Sequence, residues 1–504
     1  MTSKLATTAA IGSIAVLTLA GCSTTDSTDD ASGDTASTGI VGTDVITQVY
    51  GDGQKITAVA VQYASEIDAD SLSTEDFAIE GYEVTDVYTN AEAAIADEAA
   101  DGNFVIVEVS TDAINAAYAL EGDGPGSDTS SEETTTEDST ATEDGAAASS
   151  DDAALAEEPS EDSSSAASDD DRPSGERPAE LPEGEVPSGE VPSAGMGGGM
   201  GSTSTSNELA VTITQTGEVE ATDGNVYAAS DAIETDYAEN TNLGVEDFEQ
   251  LTYTSTETAD ELMYNLYTPE RYDESESYPI VVFMPDATAT GTDPVATLTQ
   301  GNGATSWATD EAQAENESFV LAPQYTGEET DDVTTTVELI KQLVEDYSID
   351  PSRIYLTGQS AGTIRAISMM IEYPDMFAGA MLVAGQADDA YTDRLAELAD
   401  QNIWMIAATG DERALPGMTA IEEAVEAAGT DVTDGAWSAA DSVEDQNAAA
   451  AEMAAAQTSI HFTTLSDVVP EGITDNEVTE HLNTWRVAYE ITGIQNWLFE
   501  QTNA

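Results

Sequence analysis

Cationic side chains are almost absent from this chain. Lys and Arg together number 11 against 100 Asp and Glu, a formal net charge of −89 over 504 residues. That balance excludes nucleic acid as a partner, because phosphate binding draws its affinity from cations. Cysteine is scarcer still: Cys22 stands alone, so the chain can assemble no internal disulfide, thiol nucleophile or cysteine-based metal site. There are 2 histidines, His461 and His481, so chemistry that needs an imidazole must use one of them. No motif for a metal or other cofactor accompanies them, and none is expected.

What is present begins with a leader. Lys4, an apolar run "LATTAAIGSIAVLTLA" and a closing "LAGC" read as a signal peptide over residues 1–22. The run is too short and too rich in small residues for a comfortable membrane span. "LAGC" resembles a bacterial lipobox, which implies lipidation of Cys22 and a lipid anchor on the extracytoplasmic face of the cell membrane. Residues 23–44 are polar and aperiodic, a flexible tether of about 26 Å root-mean-square span.

Strand patterns follow. "KITAVAVQY" alternates with Thr57, Val59, Val61 and Tyr63 on one side, and "EDFAIEGYEVTDVY" and "NFVIVEVS" continue in β-rich runs. Residues 122–206 are Ser, Thr, Asp, Glu, Ala, Gly and Pro with little to bury, so they are expected to be disordered. Alternation resumes at Leu209, Val211 and Ile213. One small antiparallel β-sandwich over 45–235, interrupted by an acidic insertion, is the economical reading.

Over residues 236–504 apolar runs alternate with helix-periodic ones: "YPIVVFM", "SFVLAPQY", "VTTTVELIKQLVEDY", "RIYLTG", "AGAMLVAG", "NIWMIAATG" and "SIHFTTL". Such alternation predicts an α/β domain, a mostly parallel sheet with helices on both faces. Within it, "RIYLTG" runs into Gly-Gln-Ser-Ala-Gly and a helix-like "TIRAISMMIEYPDMF". A strand-to-helix turn of this kind lifts a serine hydroxyl above the sheet edge, so Ser360 is the candidate nucleophile.

A serine hydroxyl needs a base, usually an imidazole held by a carboxylate. His461 lies inside the expected last strand, whereas His481 follows a polar loop and opens a helix, free to reach the turn. His481 is therefore the preferred base and His461 structural. With the order Ser, acid, His, Asp411 in "NIWMIAATGDERALPGM" is the preferred acid; Asp388 and Asp389 are the alternatives. Oxyanion donors are expected from the amide of Ala361 and from Asp286 or Ala287. Gln359, Trp307 and Trp485 are candidate pocket residues.

"YNLYTPERYDESESYPIVVFMPDA", "VLAPQY", "YSIDPSRIYLTGQSAG", "YPDMFAGAMLVAGQ", "GDERALPGM" and "HLNTWRVAYEITGIQNWLFEQ" resemble the bacterial α/β-hydrolase esterases that carry an immunoglobulin-like N-terminal domain. A more distant similarity runs to polyhydroxybutyrate depolymerase-like and prolyl oligopeptidase-like hydrolases. The resemblance covers residues 245–504 and, more faintly, 45–121 and 207–235. It implies an α/β-hydrolase fold with Ser360, Asp411 and His481 as its triad, and a small-molecule or polymeric ester as substrate. Relatives usually have a histidine where this chain has "FMPDA", and Pro285 has no amide hydrogen to offer. Two further readings stay open: a serine peptidase of prolyl oligopeptidase-like type, and a non-catalytic surface-binding lipoprotein on a retired hydrolase scaffold.

Overall fold

Ile40–Tyr50 and Gly53–Tyr63 form an antiparallel hairpin, widened by Phe104–Val109 and Val84–Asn90 into a sheet. In this computed structural model, residues 39–96, 98–113, 209–236, 240–327 and 331–503 are described. The leader with Cys22, most of the tether and the acidic 122–206 segment lie outside the described residues.

Val59, Val61 and Tyr63 share one core with Phe77, Ile79 and Ile213. The last three belong to a smaller sheet of Phe77–Ile79, Thr212–Gln215 and Ile233–Glu234 that closes the sandwich. Tyr63 Oη donates across to Gln215 Oε1 at 2.8 Å. The opposite side of the hairpin is buried too, because Ala58 and Ala60 pack with Ile46 and Ile106. Alternation in "KITAVAVQY" thus separates two interiors rather than an inside from an outside.

The N-terminal sheet also runs past the boundary expected at residue 235. Thr241–Leu243 pairs in parallel with Ile46–Gln48, and Asn242 Oδ1 accepts from Thr47 Oγ1 and Gln54 Nε2 at 2.9 and 2.7 Å.

The C-terminal sheet has nine strands: β1 (Phe248–Thr254), β2 (Glu261–Tyr267), β3 (Tyr278–Met284), β4 (Phe319–Gln324), β5 (Ile349–Gln359), β6 (Gly379–Val383), β7 (Ile403–Ala408), β8 (Val432–Ser438) and β9 (Ile460–Ser466). Their order is β1-β2-β4-β3-β5-β6-β7-β9-β8. Only the pairings of β2 with β1 and β4 are antiparallel. Strands β3, β4, β6 and β7 are buried throughout, as strands covered on both faces must be. Along β3 the residues divide by parity. Ile280, Val282 and Met284 face one core, and Val281 and Phe283 face the other.

Six helices matter here: α1 (Asp332–Asp346), α2 (Ala361–Glu372), α3 (Ala414–Ala428), α4 (Val443–Ala454), α5 (Glu477–Ala488) and α6 (Thr492–Phe499). Helices α1, α2 and α3 bury Ile340, Ile367 and Ile421 in one core, while α4, α5 and α6 bury Ala450, Trp485 and Trp497 in the other. Asn476 caps α5 by accepting from Val478 and Thr479, and the Thr479 hydroxyl accepts the Asn476 amide in return. That capping box starts the helix at a fixed point, so the place of His481 within its first turns is fixed as well. The N-terminal domain reaches this helix: a Cβ added to Gly51 would fall 2.4 Å from Arg486 O, which requires the bare backbone there.

His461 is a core residue. It stacks on Trp404 with ring centroids 4.5 Å apart, and Trp497 meets its edge at 5.0 Å. Burial pushes its pKa down from 6.5 to about 4. Between those values the unfolded chain takes up a proton that the folded chain refuses. Stability is therefore unaffected above pH 6.5 and lost as the pH falls toward 4, by up to about 3 kcal/mol. His461→Phe removes this loss. In thermal melts at about pH 7 and about pH 4.5 the variant gains on wild type as the pH falls, whereas a constant difference would contradict the burial argument.

Candidate active site

The strand register assembles the site. Met284 lies opposite Gly358, Gln359 opposite Val383, Val383 opposite Ile406, and Ala408 opposite Leu465. The carboxyl ends of β3, β5, β6, β7 and β9 therefore finish together, and the segments after them share one rim.

Ser360 stands on this rim in a strained conformation, at φ 50° and ψ −114°. A non-glycine residue there costs of order 1–3 kcal/mol and persists only when its surroundings hold it. They do. Ser360 N donates to Val383 O at 3.0 Å, and Thr363 Oγ1 lies 2.7 Å from Gly358 O and 2.8 Å from Val383 O. Both flanking glycines are sterically required. A Cβ on Gly358 would lie 2.6 Å from the carbonyl carbon of Gly362, and one on Gly362 would lie 1.9 Å from Met284 O. Gly362→Ala must therefore push the β3 loop away. We expect a loss of about 1–3 kcal/mol in stability and about 100-fold in kcat, the cost of an ångström-scale misplacement, read by thermal melts and ester turnover.

His481 Nε2 is 3.0 Å from Ser360 Oγ, and His481 Nδ1 is 2.6 Å from Asp411 Oδ2. The histidine side chain is 22% exposed and the aspartate 1%, so the chain of groups runs from solvent into the protein. Trp485 sets its edge against the imidazole, with centroids 5.0 Å apart at 88°. Asp411 Oδ1 accepts from the amides of Arg413 and Ala414 at 3.0 and 2.8 Å. Burial pushes the Asp411 carboxyl up, but the His481 bond and these two amides outweigh it, and its pKa falls below the ordinary value. The acid is thus ionised at neutral pH, and Nδ1–H donates to it, leaving Nε2 to accept from Ser360 Oγ–H.

Ala361 opens α2, where the first amides of a helix lack intrahelical partners. Asp286 and Ala287 follow β3 next to the turn, since Gly362 abuts Met284 and Pro285. The Asp286 side chain is occupied: Oδ1 accepts from Thr288 N and Oγ1, both at 2.6 Å, and Oδ2 from Gln359 Nε2 at 2.8 Å. Gln359 is fully buried. It ties the β3 loop to β5 and is not a pocket wall, a correction to the sequence expectation. Trp307 needs the same correction: 1% exposed, it donates to Gly303 O at 2.9 Å and meets Phe499 edge-on in the core. Trp485, 2% exposed, backs the imidazole from inside and lines no open pocket. Of the three candidate acids it is Asp411 that is hydrogen-bonded to His481, while Asp388 caps the segment Asp389–Asp400 by accepting from Ala390 N. Thr363 went unnoticed in the sequence because nothing marks a buried hydroxyl two residues into a helix.

The comparisons agree with this architecture. A model described as "Esterase Ig-like N-terminal domain" matches residues 42–228, and one described as "Putative esterase" matches residues 255–495. An esterase domain of α/β-hydrolase type follows an immunoglobulin-like domain. Poly(3-hydroxyalkanoate) depolymerase C of Paucimonas lemoignei is 52% identical over 50 residues, which is 9% of this chain and 12% of the depolymerase. This chain therefore matches far less than two thirds of that protein's length. A solved structure described as a thermostable esterase matches 92% of this chain and 99% of its own at TM-score 0.63 and 20% identity, a likeness of fold. Among the described residues no helix is long and apolar enough to cross a membrane, and no group of three or more His, Cys, Asp or Glu could hold a metal ion.

Proposed function

We propose that this protein is a serine carboxylic ester hydrolase working through an acyl-enzyme, with Ser360 as nucleophile, His481 as base and Asp411 as the acid that orients it. One observation carries the reading: the unbroken run of hydrogen bonds from Ser360 Oγ through His481 to Asp411, on a turn that holds Ser360 at φ 50°. Ser360 Oγ attacks the ester carbonyl while His481 Nε2 takes its proton. Negative charge gathers on the carbonyl oxygen, where the Ala361 amide and one from Asp286 or Ala287 stabilise it. His481 then returns the proton to the leaving alcohol, and water repeats the cycle to release the acid. Cys22, lipidated, would hold the enzyme to the extracytoplasmic face of the membrane.

Turnover of para-nitrophenyl acyl esters against aminoacyl anilides tests the assignment. Ester hydrolysis with little anilide cleavage is expected; dominant anilide cleavage makes the protein a peptidase, and neither activity returns it to a binding role.

A further inference from the structure

Pro285 leaves a gap at the end of β3. It has no amide hydrogen, so a second oxyanion donor must come from Asp286 or Ala287, past the last ladder pairing of Met284 with Gly358. Among the described residues neither of those two amides is bonded to a backbone acceptor, which suits donors kept for a ligand. The Asp286 side chain holds their loop in place. Its Oδ1 accepts from Thr288 N and Oγ1 within the loop, and its Oδ2 accepts from Gln359 Nε2 at 2.8 Å. Of these donors only Gln359 stands outside the loop, and it is the residue bonded to Ser360. One side chain thus links the strand end that carries the nucleophile to the loop of the second donor.

Packing alone does not ask for glutamine here. Gln359 and Asp286 are 0% and 3% exposed, and methionine would fill the Gln359 space without desolvating an amide. Gln359 Oε1 has no hydrogen-bond partner among the described residues, so the bond from Nε2 is what offsets the burial of the group. Reversing the amide would set that oxygen against the Asp286 carboxyl, which therefore fixes the direction of the bond. The surroundings confine the side chain further: a Cβ on Gly303 would lie 2.2 Å from Phe283 Cε2 and 3.1 Å from Gln359 Oε1.

We infer that Gln359 is a positioning residue: its amide tethers the Asp286 side chain to β5 and so sets the distance between Ser360 Oγ and the oxyanion donor of the Asp286–Ala287 loop. This rests on the serine-esterase reading above. The tether acts on the transition state, where the carbonyl oxygen is charged, and leaves substrate binding alone.

The test compares wild type, Gln359→Met, Gln359→Glu and the double variant Gln359→Glu/Asp286→Asn. Three quantities are read: para-nitrophenyl acetate kinetics, inhibition by a trifluoromethyl ketone whose adduct carries an oxyanion, and hydrogen exchange of the peptide covering residues 285–290. Gln359→Met lowers kcat about 30- to 100-fold with KM within about twofold. It weakens the ketone by a similar factor and speeds exchange about tenfold. Gln359→Glu, which sets two carboxyls against each other, loses at least as much. The double variant exchanges amide and carboxyl across the same bond and regains at least about tenfold in kcat over Gln359→Glu, a rescue that mere destabilisation would not give. A Gln359→Met variant within about threefold of wild type in kcat, unchanged ketone affinity, or a double variant no better than Gln359→Glu overturns the tether. Exchange needs no turnover. A wild type without esterase activity would therefore sink the functional reading, while faster exchange in Gln359→Met would still support the tether and unchanged exchange would overturn it.

Discussion

Ser360→Ala lowers kcat by about a millionfold while leaving KM for para-nitrophenyl esters nearly unchanged. The variant loses the attacking oxygen and nothing else of size, since alanine fills the turn and the oxyanion donors stay on the backbone. What remains is the stabilisation those donors give to attack by water, about a thousandfold over the uncatalysed reaction. Ser360 N still donates to Val383 O, and alanine tolerates the positive φ no worse than serine, so the melting temperature should hold or rise slightly. Stopped assays on variant purified free of wild type measure this. Turnover within tenfold of wild type would remove Ser360 from the mechanism.

Asp411→Asn lowers kcat by about ten-thousandfold. Asparagine is the same size and keeps the acceptor for the Arg413 and Ala414 amides, so the loop stays in place. Its amide group, however, donates toward His481 Nδ1. The imidazole must then carry its proton on Nε2, facing Ser360 Oγ, and can no longer accept from the nucleophile. The pH dependence follows from the same residue. Because the folded pKa of Asp411 is depressed below 3.8, its ionised form contributes stability above that value, and the contribution is lost as the pH falls through the folded pKa. In the wild-type rate profile Asp411 adds no limb in the neutral range. An Asp411→Asn variant with more than a tenth of wild-type kcat would contradict the assigned role of the acid.

Particular residues explain how far the sequence could be read. The turn was legible because Gly-Gln-Ser-Ala-Gly sits between an apolar strand and a helix, and its two glycines answer to contacts that any side chain would violate. Choosing between the histidines was possible because one lies in the interior of a strand and the other beside a loop. Gln359 misled because a side chain next to a motif in sequence can point away from it, and Trp307 because an indole fills a core as readily as it lines a pocket. Gln359 alternates inward along β5, and Trp307 belongs to a separate turn, Thr305–Trp307, whose indole the core needs. The parallel pairing of Thr241–Leu243 with Ile46–Gln48 was hidden, since a three-residue polar strand has no periodicity and its partner lies nearly two hundred positions earlier.

Whether Ser360 is the activated nucleophile is decided most directly by intact-protein and peptide mass spectrometry after treatment with a fluorophosphonate. A single adduct on the peptide containing Ser360, formed by wild type, absent in Ser360→Ala and greatly slowed in His481→Ala, is the predicted result. An unlabelled wild type, or labelling that persists in Ser360→Ala, would contradict it.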